Sequence, residues 1–103
     1  MTTPEGFTFA HTGDQYNEED LTWLFDVKTK IPALDVLLIN CWANRLSDTI
    51  EGFDPKFVIT GHENELGHAI DHRESYWTSF IKLEDVKRPS CLMTWGETYW
   101  YKR

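Results

Sequence analysis

The densest run of groups able to do chemistry is His62-Glu63-Asn64-Glu65-Leu66-Gly67-His68-Ala69-Ile70-Asp71-His72, which holds three of the four histidines in the chain. Imidazoles set among carboxylates support three kinds of work. Asn64-Glu65-Leu66-Gly67-His68 has the shape of a zinc-protease HExxH helix with Asn where the first His belongs. That motif needs two imidazoles at i and i+4 on one metal and a Glu that polarises water. His62, His68 and His72 offer a second arrangement, a metal site built from imidazoles, with His68 and His72 on one side of either a strand or a helix. The third is a proton-transfer pair, in which a carboxylate orients an imidazole that acts as general base toward a thiol. Gly67 would start a strand at His68. The β-favouring run Tyr76–Leu83 would return beside it and end at Glu84-Asp85, bringing His68 next to Glu84. The first arrangement lacks a ligand and the second matches no established ligand spacing. The third reading therefore leads, with His68, Glu84 and Asp85 as catalytic candidates and no metal or cofactor expected.

These residues must be positioned by a small number of elements. Residues 1–17 read as an irregular arm with one short extended piece at Phe7–Ala10. Residues 18–30 read as a helix. Glu18, Glu19 and Asp20 oppose the positive end of its dipole, Asn17 is a candidate N-cap, and Leu21, Leu24, Phe25 and Lys28 share a face. Pro32 ends it. Residues 34–42 are apolar on both parities, like a central strand buried on both faces. Residues 45–55 read as a loop, with Gly52 and an Asp54-Pro55 breaker. From residue 56 to 103 the chain reads as antiparallel strands: Lys56–Gly61, His68–Arg73, Tyr76–Leu83, then Cys91–Trp95 and Thr98–Tyr101 on either side of Gly96. The expected fold is a single α+β domain, residues 1–103, with an N-terminal helix followed by an antiparallel sheet of about five strands.

With these elements in place, residues 31–103 resemble the C-terminal part of the ubiquitin-specific proteases and their SUMO-directed relatives, a papain-like cysteine isopeptidase family. Phe57-Val58-Ile59-Thr60-Gly61-His62 is similar to the family's strand and turn, and Gly67-His68 to its Gly-His box. Phe80-Ile81-Lys82-Leu83-Glu84-Asp85-Val86 resembles its acidic box, with Phe80, Leu83 and Glu84 in place of Trp, Phe and the first Asp. Thr98-Tyr99-Trp100-Tyr101-Lys102-Arg103 resembles the closing strand, and Ile31–Ile39 the Pro-then-aliphatic strand. The resemblance implies that His68 is the general base and that Glu84 or Asp85 orients it. It also implies ubiquitin or a ubiquitin-like protein as partner. The aromatic after the box His is Ala69 here, and Trp42-Ala43-Asn44-Arg45 replaces the family's Lys-Arg-Phe. The nucleophile box is absent. Cys41 in a buried strand and Cys91 read as core residues, because a reactive thiol wants a helix N-terminus or a cationic neighbour. The chain on its own is expected to be an inactive protease-like module.

Charge and composition support a second reading. The 103 residues carry 17 acids and 10 bases, a net charge of −7. That disfavours phosphate-backbone binding and excludes nucleic acid as a direct partner, but it suits a basic protein partner. A small acidic inhibitor or immunity-type protein, covering a basic groove with Trp and Tyr anchors, is the alternative function. An aromatic content of 15% opposes disorder. The longest apolar run, Val36–Ile39, is far short of the ~20 residues a membrane helix needs. Two cysteines without CxxC spacing suit reduced thiols. The start shows neither basic nor apolar signal-peptide regions, so an intracellular location, cytoplasmic or nuclear, is expected.

Overall fold

The computed structural model describes residues 1–13, 17–41, 43–61, 81–91 and 98–102. In chain order these form β1 (Phe9–His11), α1 (Glu18–Leu21), a 3-10 segment (Thr22–Thr29), β2 (Val36–Asn40), α2 (Leu46–Phe53), β3 (Phe57–Gly61) and β4 (Ser90–Cys91). The four strands make one sheet in the order β1-β2-β3-β4, and every neighbouring pair is parallel. This overturns the antiparallel sheet expected from the sequence. Among the described residues the one antiparallel pairing is the isolated bridge Thr2–Thr8, outside the strands.

The physical reason lies in residues 45–55. They are not a loop. Leu46, Thr49, Ile50 and Phe53 fall at i, i+3, i+4 and i+7 and are all buried, which is the apolar stripe of a helix. Asp54-Pro55 terminates that helix rather than excluding it. Asp54 takes the left-handed conformation (φ 51°), and its N–H closes the last turn on the Ile50 carbonyl at 2.9 Å. A helix between two strands carries the chain back to the end where it began, so β2 and β3 run parallel. The first element is the strand β1, not the helix expected at residues 18–30. Within that stretch only Glu18–Leu21 is α-helical, and the 3-10 remainder is interrupted at Asp26 (φ −130°, ψ 15°). Asn17 makes no side-chain cap there.

The helical elements all pack on one face of the sheet. Leu24 and Val27 from the 3-10 segment join Leu46, Ile50 and Phe53 from α2, with Leu83, against Leu37, Ile39 and Val58. Burying each of the larger side chains is worth ~1.5–3 kcal/mol. The closest approach is at Gly52. A Cβ there would collide with the Leu24 carbonyl oxygen and lie 2.5 Å from the Phe25 Cα. Two backbones therefore touch with no side chain between them.

Residues 81–83 are helical, not the end of a Tyr76–Leu83 strand. Residues 98–102 form no strand, in contrast to the expected Thr98–Tyr101. They lie instead across the second face of the sheet. Tyr99 stacks on Phe57 at 4.8 Å between ring centroids, and Tyr101 meets Phe7 edge to face at 6.0 Å. The expected strand His68–Arg73 lies outside the described residues, as do residues 92–95 of the expected strand Cys91–Trp95. Within the described residues no helix is long and apolar enough to cross a membrane.

Two polar clusters fix the ends of these elements. At the start of the strands, Asp35 is 1% exposed. Its Oδ2 accepts from the Thr8 N–H at 2.9 Å, and its Oδ1 accepts from Lys56 Nζ at 2.8 Å. At the end of α2, Arg88 donates to both Glu51 and Asp54. The bond from Arg88, then its charge, holds the Asp54 carboxyl below its ordinary value, and the two carboxylates hold the Arg88 guanidinium above its own.

Three outcomes follow from these contacts. Gly52→Ala should lower unfolding stability by about 3 kcal/mol, read from urea denaturation, because neither backbone can step aside cheaply. Asp35→Ala should cost about 2–3 kcal/mol by the same measurement, since it removes the acceptor of the partly buried Thr8 N–H and the partner of Lys56. The Asp54 carboxyl should titrate, by carbon-detected NMR, below the 3.8 usual for it. Because the folded value is the lower one, the stabilising pair is present above the unfolded-state value and is lost as pH falls through the folded value. Arg88→Gln should return the titration to the ordinary range. An unchanged midpoint in that variant would show the pairing to be inconsequential.

Candidate functional site

Three strands end together at one edge of the sheet. β1 ends at His11 and runs into Thr12-Gly13, β2 ends at Asn40 before Cys41, and β3 ends with Thr60-Gly61. In parallel sheets the carboxyl ends of the strands, where loops leave toward the helices, are where ligands bind. Here that edge encloses a cavity of about 50 Å³, lined by His11, Gly13, Asn40, Thr60 and Gly61 over a floor of Leu38 and Ile39. Liquid water occupies ~30 Å³ per molecule, so the space is too small for an organic substrate.

The edge is built by hydrogen bonds between the strand ends. The Thr12 N–H donates to the Leu38 carbonyl at 3.1 Å, and the Asn40 N–H donates to Thr12 Oγ1 at 3.3 Å. The Cys41 N–H donates to the Gly61 carbonyl at 3.0 Å, and Lys82 Nζ reaches the Cys41 carbonyl at 3.0 Å. Thr12, Asn40 and Thr60 are buried. Gly13 turns the chain with φ 64°, and its N–H donates to His11 Nδ1 at 2.7 Å. An imidazole whose Nδ1 accepts must, when neutral, carry its proton on Nε2. His11 therefore offers the edge a hydrogen-bond donor.

A second hollow, about 310 Å³, opens beside the start of α2 and is lined by Asn44, Arg45, Asp48 and Lys82 among others. The Arg45 charge is already engaged. Its Nε lies 2.7 Å from Asp48 Oδ2, Glu18 is 4.0 Å from its guanidinium, and the group sits 4.5 Å over the Phe25 ring.

The residues singled out from the sequence fall differently. His62, His68 and His72 lie outside the described residues, and with them the expected pairing of His68 with Glu84 or Asp85. Glu84 and Asp85 are exposed, in the turn that follows residue 83. Neither joins an ion pair among the described residues. Cys41 is buried, 2% exposed, as expected of a core thiol. Among the described residues no three His, Cys, Asp or Glu side chains are placed to hold a metal.

His11, Thr12, Asn40 and Thr60 were not singled out by sequence. A signal was present in Phe9-Ala10-His11-Thr12-Gly13, a β-favouring run stopped by Gly. Phe57-Val58-Ile59-Thr60-Gly61-His62 has the same form, a short β run closed by Thr-Gly. Comparison with family models, with curated proteins and with solved structures finds no match to this chain.

Proposed function

We propose that the carboxyl edge of the sheet holds a divalent transition-metal ion and a water molecule, and that the chain contributes metal-assisted hydrolysis there. One observation carries this reading. β3 ends at Gly61 against the small cavity that His11, Asn40 and Thr60 edge, and the next residues in the chain are His62-Glu63, the start of the run that holds three imidazoles and three carboxylates. A connection leaving the carboxyl end of a parallel strand is where a fold presents reactive side chains. Imidazole and carboxylate together are the donor set of zinc and similar ions.

His62 is the ligand nearest the edge along the chain, with His68 and His72 available to complete the set. A bound metal would lower the pKa of its water to about 7, giving hydroxide at neutral pH. A carboxylate such as Glu63 or Glu65 would accept the proton. The Nε2 donor of His11 would face the negative oxygen that forms when hydroxide adds to a carbonyl or phosphoryl centre.

Calorimetric titration of the metal-free chain with zinc should show one bound equivalent. His62→Ala should weaken binding at least tenfold, while His11→Ala, which removes no proposed ligand, should leave metal affinity within about threefold. A wild-type chain that binds no zinc, manganese or cobalt, or a His62→Ala variant that binds as well as wild type, would sink the metal reading.

A further inference from the structure

The chain leaves the core at Leu83, which is buried, and rejoins the sheet at β4. Between these points it buries little. Glu84, Asp85, Lys87, Pro89 and Ser90 are exposed, and Val86 is only half-buried against the core. β4 itself is two residues long and pairs with β3 alone among the described strands. The Pro89 carbonyl accepts the Val58 N–H at 3.0 Å. The strongest tie is polar. Arg88 donates from its two terminal nitrogens to Glu51 and Asp54, at the end of α2. Its side chain is 16% exposed, whereas those of Glu51 and Asp54 are more than half exposed. Two charge-assisted bonds from one planar group fix both position and angle. The cation also stands at the carboxyl end of a helix, the end that favours positive charge.

We propose that residues 84–91 are a strap that opens without the rest of the fold, and that Arg88, paired with Glu51 and Asp54, is the latch that keeps β4 on the sheet. The latch ties the strap to α2, and β4 ties it to β3, so the strap joins the helical layer to the side of the sheet. A stretch with few buried apolar contacts and many exposed residues belongs to the low-stability end of a structure. Opening it breaks the latch and frees the Val58 N–H, while the other side of β3 stays paired. The ladder makes this distinction within one strand. The Phe57 N–H donates to the Asp35 carbonyl on the β2 side at 3.0 Å, and the next N–H, that of Val58, donates to Pro89 on the β4 side. An uncovered strand edge is a template for pairing with another strand, so the latch controls that exposure at Val58.

Native-state amide hydrogen exchange on the full chain, followed by NMR in low urea, tests this. Phe57 and Val58 are both buried, so each amide exchanges only through an opening. In the wild type the Val58 rate, corrected for its intrinsic value, should be at least about tenfold faster than that of Phe57. It should also be nearly flat in urea, because a strap exposes little surface, while the Phe57 rate climbs. Arg88→Gln should speed Val58 exchange about tenfold, since it removes interactions that the opening breaks. Glu51→Gln combined with Asp54→Asn should do the same from the other side, with Asn able to hold the left-handed conformation of residue 54. A Val58 amide that follows Phe57 through the urea series shows that the strap opens only with the whole fold, and overturns the proposal in the wild type alone. Val58 exchange that is unchanged in Arg88→Gln, or in the carboxylate double variant, overturns the latch.

Discussion

The architecture hangs on a buried carboxylate at the amino edge of the sheet. Asp35 immediately precedes β2, and its two oxygens reach to both neighbouring strands. Oδ2 takes the Thr8 N–H ahead of β1, and Oδ1 takes Lys56 ahead of β3. The Asp35 backbone takes part as well. Its N–H donates to the Thr8 carbonyl, and its carbonyl accepts from the Phe57 N–H, both at 3.0 Å. One residue thus sets where three parallel strands start. Register matters more here than in a hairpin, because no tight turn fixes it. A slip of one residue at this edge would turn Leu37 and Val58 from the helical layer to the other face. A carboxylate this buried would be costly without partners, and Thr8 and Lys56 offset that cost. The same alignment brings His11, Asn40 and Gly61 to a common edge at the far end of the strands. The polar clamp at one edge therefore determines the geometry of the cavity at the other.

The sequence carried more of this fold than its antiparallel reading used. The run Leu34–Trp42, apolar on both parities, is the pattern of a strand in a parallel sheet, and β2 is indeed central. What defeated the reading was the weight given to Gly52 and Asp54-Pro55. Gly is a poor helix former, but at position 52 its missing side chain lets two backbones meet, and tertiary packing overrides propensity. Asp-Pro is a breaker, but a breaker also marks where a helix stops. A loop over residues 45–55 leaves no crossover between the strands on either side. An antiparallel connection then followed. The strand at 57–61 was legible because Phe-Val-Ile-Thr has one reading, whereas Lys82 and Leu83 sit in a β-favouring run whose end is helical.

The site was legible in composition but not in place. His62 to His72 stands out in the bare sequence because imidazoles and acids rarely crowd so closely. That the described chain reaches the carboxyl edge at Gly61, just before this run, depends on the direction of β3 relative to β1 and β2, which is a tertiary fact. His11 illustrates the same limit from the other side. Alone in an arm rich in Thr and Gly, it gives no signal. It becomes part of an edge only because β1 pairs with Val36–Leu38 and ends level with the middle of β2. Thr12 and Asn40 matter for the same reason, since they join strand ends that are distant in the chain.

The edges and faces of the sheet divide the labour between stability and recognition. The helical face is filled by aliphatic side chains and a backbone contact at Gly52. The amino edge is closed by Asp35 and its partners. Among the described residues three hollows remain, and they differ in size and lining. The one at the carboxyl edge is small and edged by His11, Asn40 and Thr60, the one beside α2 is edged by Arg45, Asp48 and Lys82, and the one on the second face is walled by rings and aliphatic groups. Among the described residues the second face is covered by the rings of Tyr99 and Tyr101, so a parallel sheet here is sheltered by aliphatic packing on one side and by aromatic packing on the other.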